Sequence, residues 1–206
     1  LKSDADKIHS TLEKIDQNAF ELAVDTILHA KHIYIIGIRS CAPLASFMAF
    51  YFTLMFPNVH LIQTSSSSEI FEQMVRIGKE DVIIGISFPR YSMRTLKAME
   101  FANNRSAKVI TLTDSVHSPM NLYSSCNLIA DSDMASIVDS LVAPLSVINA
   151  LIVALCMKKQ NEVAKTLEML EEIWDEYQVY ENDEINYIDD SIKMRYGKVG
   201  DAELYE

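Results

Sequence analysis

Cysteine is scarce in this chain: three in 206 residues, Cys41, Cys126 and Cys156. The number is odd and no two sit at metal-site spacing, which excludes a disulfide framework and a zinc module. The thiols read as reduced and buried or half-buried, as in a cytoplasmic protein. Bases are outnumbered, 18 against 29 acids, for a formal charge of −11. A chain with so few bases has no large basic surface with which to grip nucleic acid by itself. Long apolar runs are missing too. The longest, Leu141 to Met157, is interrupted by Pro144, Ser146 and Asn149, and it falls short of the about 20 apolar residues a membrane span needs. It reads as a buried helix, and nothing at the N-terminus reads as a signal peptide. No Walker sequence occurs. After the first apolar strand, a dinucleotide fingerprint would need two further glycines where Arg39 and Ala42 stand, so a backbone approach to pyrophosphate is not expected.

What is present is enough apolar residue, 49%, for one sizeable core. The acidity is local. Thirteen of the acids and three of the bases fall at or after Glu168, leaving 16 acids against 15 bases before it. The chain begins at Leu1 rather than methionine, and is therefore expected to be part of something longer.

Apolar residues at three- and four-residue steps (Ile8, Leu12, Ile15, Ala19, Leu22, Ala23, Ile27, Ala30) predict helix over 3–30, with Asp16 breaking or capping it. His9, His29 and His32 read as surface or cap residues, since none has a second ligand at metal spacing. Five short apolar runs, 32–37, 59–63, 82–86, 108–113 and 126–130, read as strands. Helices are expected between them: from a Ser40 cap with Pro43 in the first turn to Met55, from Ser67 or Ser68 to about Ile77, and from a Ser92 cap to Asn103. Ser118 with Pro119 at the first helical position is expected to start a short helix. A long helix to about Lys158 and another over 161–180 complete the pattern, with Pro144 inside or near the start of the first.

Alternation of strand and helix predicts an α/β fold: a three-layer αβα sandwich with a five-stranded parallel sheet in the flavodoxin-like order 2-1-3-4-5. The domain boundaries expected are a helical lead-in at 1–30, the sheet domain at 31–158, and a helix and acidic tail at 159–206. The helices after strands 1 and 3 should lie on opposite faces, and the crevice between those strand ends is where such sheets bind ligands.

Two turns line that crevice, Gly37-Ile38-Arg39-Ser40 and Ser87-Phe88-Pro89-Arg90-Tyr91-Ser92. Helix N-termini attract anions, short hydroxyls add donors, and guanidinium groups add charge-assisted bonds. Ser40 or Ser92 alone would be explained as a cap. The two turns together predict an anion site made of Arg39, Ser40, Ser87, Arg90 and Ser92. The serine run Ser65 to Ser68 lies on the same edge, so Ser65 and Ser66 are candidate donors to sugar hydroxyls. For acid–base chemistry the candidates are Glu69, His117, Asp133 and Asp139, and no spacing singles one out. No cofactor or metal is indicated.

These turns resemble those of the SIS, or sugar isomerase, domain. Its usual pattern is G-x-G-x-S after strand 1, I-S-x-S-G-x-T/S after strand 3, and I-T-x-x-x-x-S-P-L after strand 4. The corresponding segments here are Gly37 to Cys41, Ile86 to Ser92, and Leu112-Thr113 through Ser118-Pro119-Met120. The leading helix and the segment 139–155 resemble the SIS part of RpiR-type bacterial transcriptional regulators. The resemblance implies a phosphosugar-binding effector domain and no enzyme. It implies a homodimer through the apolar helix at 141–157, and DNA contact only through an N-terminal helix-turn-helix domain absent from this chain. A sugar-phosphate isomerase is the alternative. The departures are Arg39 at the second glycine of the first motif and Pro89-Arg90 in place of Ser-Gly in the second. From these a stiffer turn bearing a cation is expected.

Overall fold

The computed structural model describes residues 1–64, 66–132 and 140–179. Two compact units are present, Leu1–Gln160 and a C-terminal unit beginning at Asn161.

The first unit is built on five parallel strands: β1 (Ile33–Gly37), β2 (Val59–Ile62), β3 (Val82–Ile86), β4 (Lys108–Thr113) and β5 (Cys126–Ile129), in the order β2-β1-β3-β4-β5. The expected α/β order is thus the observed one. Every residue of β1 and β3 is buried, which is why these runs lack an apolar–polar alternation: a strand covered on both faces has no solvent side. The edge strands β2 and β5 are only partly covered.

Helices α2 (Gln17–Leu28), α3 (Ala42–Met55) and α6 (Val142–Lys158) pack on one face, and α4 (Ser67–Gln73) and α5 (Met93–Asn104) on the other. Large apolar side chains fill both layers. Phe52 and Met48 of α3 and Ile148 and Leu151 of α6 are fully buried, as are Ile70, Met74 and Met99 across the sheet. Asp16 caps α2, its carboxylate accepting from the amides of Asn18 and Ala19 at 2.9 and 3.1 Å. Pro144 falls in the first turn of α6, where its missing N–H is one that no helix satisfies internally, so it ends nothing.

Helix α1 (Lys2–Lys14) departs from the expected apolar stripe. Leu12 is exposed, as is Leu22 of α2, while Lys7 and Thr11 are buried. The inward face of α1 is polar because its anchors are polar. The Ser140 hydroxyl donates to Asp4 at 2.7 Å, the Asp131 amide donates to the Thr11 hydroxyl at 2.9 Å, and the Lys14 ammonium meets the Asp131 carboxylate at 3.0 Å.

Two helix starts also differ from expectation, while a third, the Ser118 cap with Pro119 in the first turn, is the expected one. A 3-10 turn at Arg39–Cys41 comes between β1 and α3, so Cys41, not Ser40, is the N-cap of α3. α4 starts one residue early, with Ser66 as its cap, and stops at Gln73 in a run of turns rather than reaching Ile77. Residues Pro119–Tyr123 form a 3-10 turn, with the Ser118 hydroxyl accepting from the Met120 amide.

The second unit contains α7 (Gln160–Glu176), an amphipathic helix with acids on its outer positions. Among the described residues, no single helix is long and apolar enough to cross a membrane.

Candidate functional site

β1 and β3 are neighbours in register, with Gly37 beside Ile86, so the chain leaves the sheet twice at one point. After β1 it turns into α3; after β3 it turns into α5. Between the turns lies a cleft of about 720 Å³ whose lining includes Arg39, Ser40, Ser87, Arg90, Ser92 and Arg94. That volume is ordinary for a small-molecule site.

Gly37 is required by the tightness of the first turn. A Cβ there would stand 2.6 Å from the Cys41 carbonyl oxygen and 3.1 Å from the Ala45 Cβ, so the chain could not fold back onto the strand end.

The second turn is held by two serines. The Ser92 amide donates to the Ser87 hydroxyl at 3.0 Å, and the Ser92 hydroxyl accepts from the Thr95 amide at 3.3 Å, capping α5. The Ser87 amide donates to the Leu112 carbonyl of β4 at 3.1 Å. These bonds absorb the amides of Ser92 and Thr95. The amides of Met93 and Arg94 are the ones in the first turn of α5 that capping does not use.

Four non-glycine residues have positive φ among those described: Arg39 at 60°, Arg90 at 68°, Ser106 at 63° and Gln178 at 51°. Ser106 and Gln178 follow helix ends, where left-handed caps are common. The other two are the arginines of the cleft. A left-handed conformation costs a non-glycine residue roughly 1–2 kcal/mol. Pro89 followed by a positive φ is the combination that type II turns use. The expected stiff replacement of a glycine turn is therefore half right. The backbone keeps the conformation glycine would give, and the side chain adds a cation.

Tyr91 also lines the cleft, its hydroxyl donating to Asp114 at 2.9 Å. Burial and then this bond raise the pKa of the phenol, so it is neutral at physiological pH and ties the β3 turn to the loop after β4.

Of the residues singled out from sequence, Arg39, Ser40, Ser87, Arg90 and Ser92 come together. Ser66 does not line the cleft: it caps α4 and its hydroxyl pairs with that of Ser68 at 2.9 Å. Ser65 lies outside the described residues, as do Asp133 and Asp139. Glu69 is exposed and accepts a hydrogen bond from the Thr64 hydroxyl; His117 is exposed in the loop after β4. Neither lines the cleft, and no Asp, Glu or His does among the described residues. Sequence reasoning missed Arg94, Tyr91 and Cys41. Arg94 lies two residues past the expected Ser92 cap, where an arginine looks like any helix-surface cation. Among the described residues no group of three His, Cys, Asp or Glu could hold a metal ion.

Solved structures share this fold. The sugar isomerase domain of an RpiR transcription factor from Sphaerobacter thermophilus superposes with a TM-score of 0.79 at 23% identity, covering 83% of this chain and 95% of that one. The Vibrio vulnificus NanR protein, complexed with ManNAc-6P, gives 0.75 at 18% identity over 85% and 67%. A Methanococcus jannaschii protein whose structure was read as that of a 3-hexulose-6-phosphate isomerase gives 0.62 at 14% identity over 80% and 97%. In sequence, the chain is 26% identical over 172 residues to an uncharacterised HTH-type transcriptional regulator of Caldanaerobacter subterraneus; the match takes in 81% of this chain and 60% of that protein. Residues 26–154 match the SIS domain family, and the chain belongs to that family.

Proposed function

We propose that this chain is the ligand-sensing part of a transcriptional regulator. Residues 31–158 bind a phosphorylated sugar or related anion in the cleft between the β1 and β3 turns. Occupancy is passed to a DNA-binding domain carried elsewhere in the parent protein. Residues 1–30 serve as the lead-in and 159–206 as an appended helix and tail. The protein works in the cytoplasm on genes of carbohydrate metabolism.

The observation that carries this reading is the convergence of Arg39, Ser40, Ser87, Arg90 and Ser92 on one cleft. Hydroxyls, uncommitted amides at a helix N-terminus and guanidinium groups are what a phosphate monoester needs. The regulators among the relatives support the regulatory role, and the ManNAc-6P complex supports the ligand class. Isomerising a sugar phosphate needs a positioned base near neutral pH. The absence of Asp, Glu and His from the described lining favours sensing over turnover. Arg39 and Arg90 add positive charge to the cleft.

The protein is proposed to act as a homodimer. On α6, Val153 and Met157 are exposed, and on the adjoining α3, Phe50 and Tyr51 are exposed. An apolar surface of this kind is suited to an identical partner.

Calorimetry with a panel of sugar phosphates tests the site. Ser87→Ala and Arg90→Ala should each weaken binding about tenfold, in line with the loss of a charge-assisted bond. Variants that bind as tightly as the parent would place the site elsewhere. Turnover of hexose or pentose phosphates by the chain would replace the sensing reading with the isomerase.

A further inference from the structure

Resting on that reading of the cleft, we infer that its ligand carries two anionic groups: a phosphate and, at the other end of the sugar, a carboxylate or second phosphate. Three guanidinium groups line the cleft, those of Arg39, Arg90 and Arg94, and no carboxylate does among the described residues. This happens in a chain with 18 bases and 29 acids, so the local excess runs against the overall balance. One phosphate does not call for three. The hydroxyls of Ser87 and Ser92 and the amides of Met93 and Arg94 supply a cradle at the start of α5, and with one guanidinium beside it such a cradle serves a single phosphate.

Each arginine also stands at a position that carries a cost of its own. Arg39 and Arg90 occupy left-handed positions, at φ 60° and 68°, that glycine would fill without strain. Arg94 lies in the first turn of α5, a turn that contains no acid. The helix dipole there is positive, and a cation is repelled. Two strained backbones and one adverse dipole contact meet at a single cleft. A ligand with two separated negative groups would relieve the adverse dipole contact and, through the guanidinium groups, offset the backbone cost, and guanidinium forks bind either carboxylate or phosphate in bidentate fashion. The cleft volume of about 720 Å³ accommodates a hexose derivative substituted at both ends.

Matched pairs of ligands test this by calorimetry on the full chain. Glucose 6-phosphate and 6-phosphogluconate differ in the carboxylate at carbon 1. Fructose 6-phosphate and fructose 1,6-bisphosphate differ in the second phosphate. The expected result is at least a tenfold preference for the doubly anionic member of one pair, and the pair shows which second group is taken. In Arg94→Gln that preference should shrink to under threefold, while affinity for the monophosphate member changes by less than threefold. The Arg94 side chain is exposed, and an unchanged melting temperature confirms a folded variant. Monophosphates binding as tightly as their doubly charged partners would overturn the inference and leave the phosphosugar reading intact. A preference that survives the Arg94 substitution would also overturn it. Binding of no member of either pair would sink the reading of the cleft and this inference with it.

Discussion

Arg39 and Arg90 hold the same left-handed backbone conformation, at φ 60° and 68°, just beyond the ends of two hydrogen-bonded parallel strands. The pairing separates their backbone role from their side-chain role. Arg90→Gly removes the strain and the cation together. Relief of strain and the entropy lost on ordering glycine oppose each other at about 1 kcal/mol apiece. Stability in urea should therefore stay within about 1 kcal/mol of the parent while phosphosugar affinity falls. Arg90→Val, whose β-branched side chain tolerates this conformation poorly, should lose both affinity and about 1–2 kcal/mol more stability.

The bonds from Ser87 to Ser92 and from Ser92 to Thr95 form a short relay at the start of α5. Ser92→Ala should cost about 1 kcal/mol, the usual value of an N-cap. Ser87→Ala should cost a similar amount, because it leaves the Ser92 amide without its acceptor. The double variant should cost less than the sum, since both act on one turn. Denaturant titration of the three variants checks this.

Gly37→Ala adds one methyl group 2.6 Å from the Cys41 carbonyl oxygen. Neither a strand end nor a helix start yields easily, so the expected loss is at the upper end of the about 1–3 kcal/mol of overpacking. Binding should fall as well, because the displaced segment carries Arg39 and Ser40. A variant as stable as the parent would mean that the turn has slack.

The Cys126 thiol donates to the Ala19 carbonyl at 2.8 Å. Burial first, and then the Asp16 carboxylate, push its pKa up from 9.0 to about 11. The folded state therefore favours the neutral thiol. Its contribution is complete below pH 9 and is lost as pH rises from 9 toward 11, so stability should decline by about 2 kcal/mol across that window. In Cys126→Ala the decline should flatten. Thiol titration at pH 8 should find Cys126 unreactive until the protein unfolds.

The exposed residues of α3 and α6 give a test of assembly. Light scattering at tens of micromolar should report a dimer, a concentration at which a micromolar interface is largely formed. Val153→Glu or Phe50→Glu should shift it to monomer, because a carboxylate buried at an apolar contact is costly. Both sites are exposed in the single chain, so the melting temperature of the dissociated protein should remain well defined. A parent that is monomeric at that concentration would remove the dimer from the proposal.

Much of the sheet was legible because a doubly covered strand writes an unbroken apolar run. The spans 82–86 of β3 and 108–113 of β4 were read to the residue, and that of β1 within one. Asp16 and Ser92 announced their helices because a short polar side chain before an apolar period is a cap. Ser40 misled for the same reason: it looked like a cap, but a 3-10 turn placed Cys41 there instead. The left-handed arginines were not legible. That conformation is signalled by glycine, asparagine or aspartate, and nothing local in an arginine marks it. Arg94 was missed although the Ser92 cap was read, because an arginine two residues past a cap carries no signal of its own. The polar inward face of α1 was missed because its partners, Asp131 and Ser140, lie more than a hundred residues away.

The bond between Asp4 and Ser140 has one further consequence. Ser140 is followed directly by Leu141, which lines the cleft. The first turn of the chain is thus one hydrogen bond and one peptide link from the cleft. The route from the cleft to the N-terminal helix runs along two residues and does not cross the sheet.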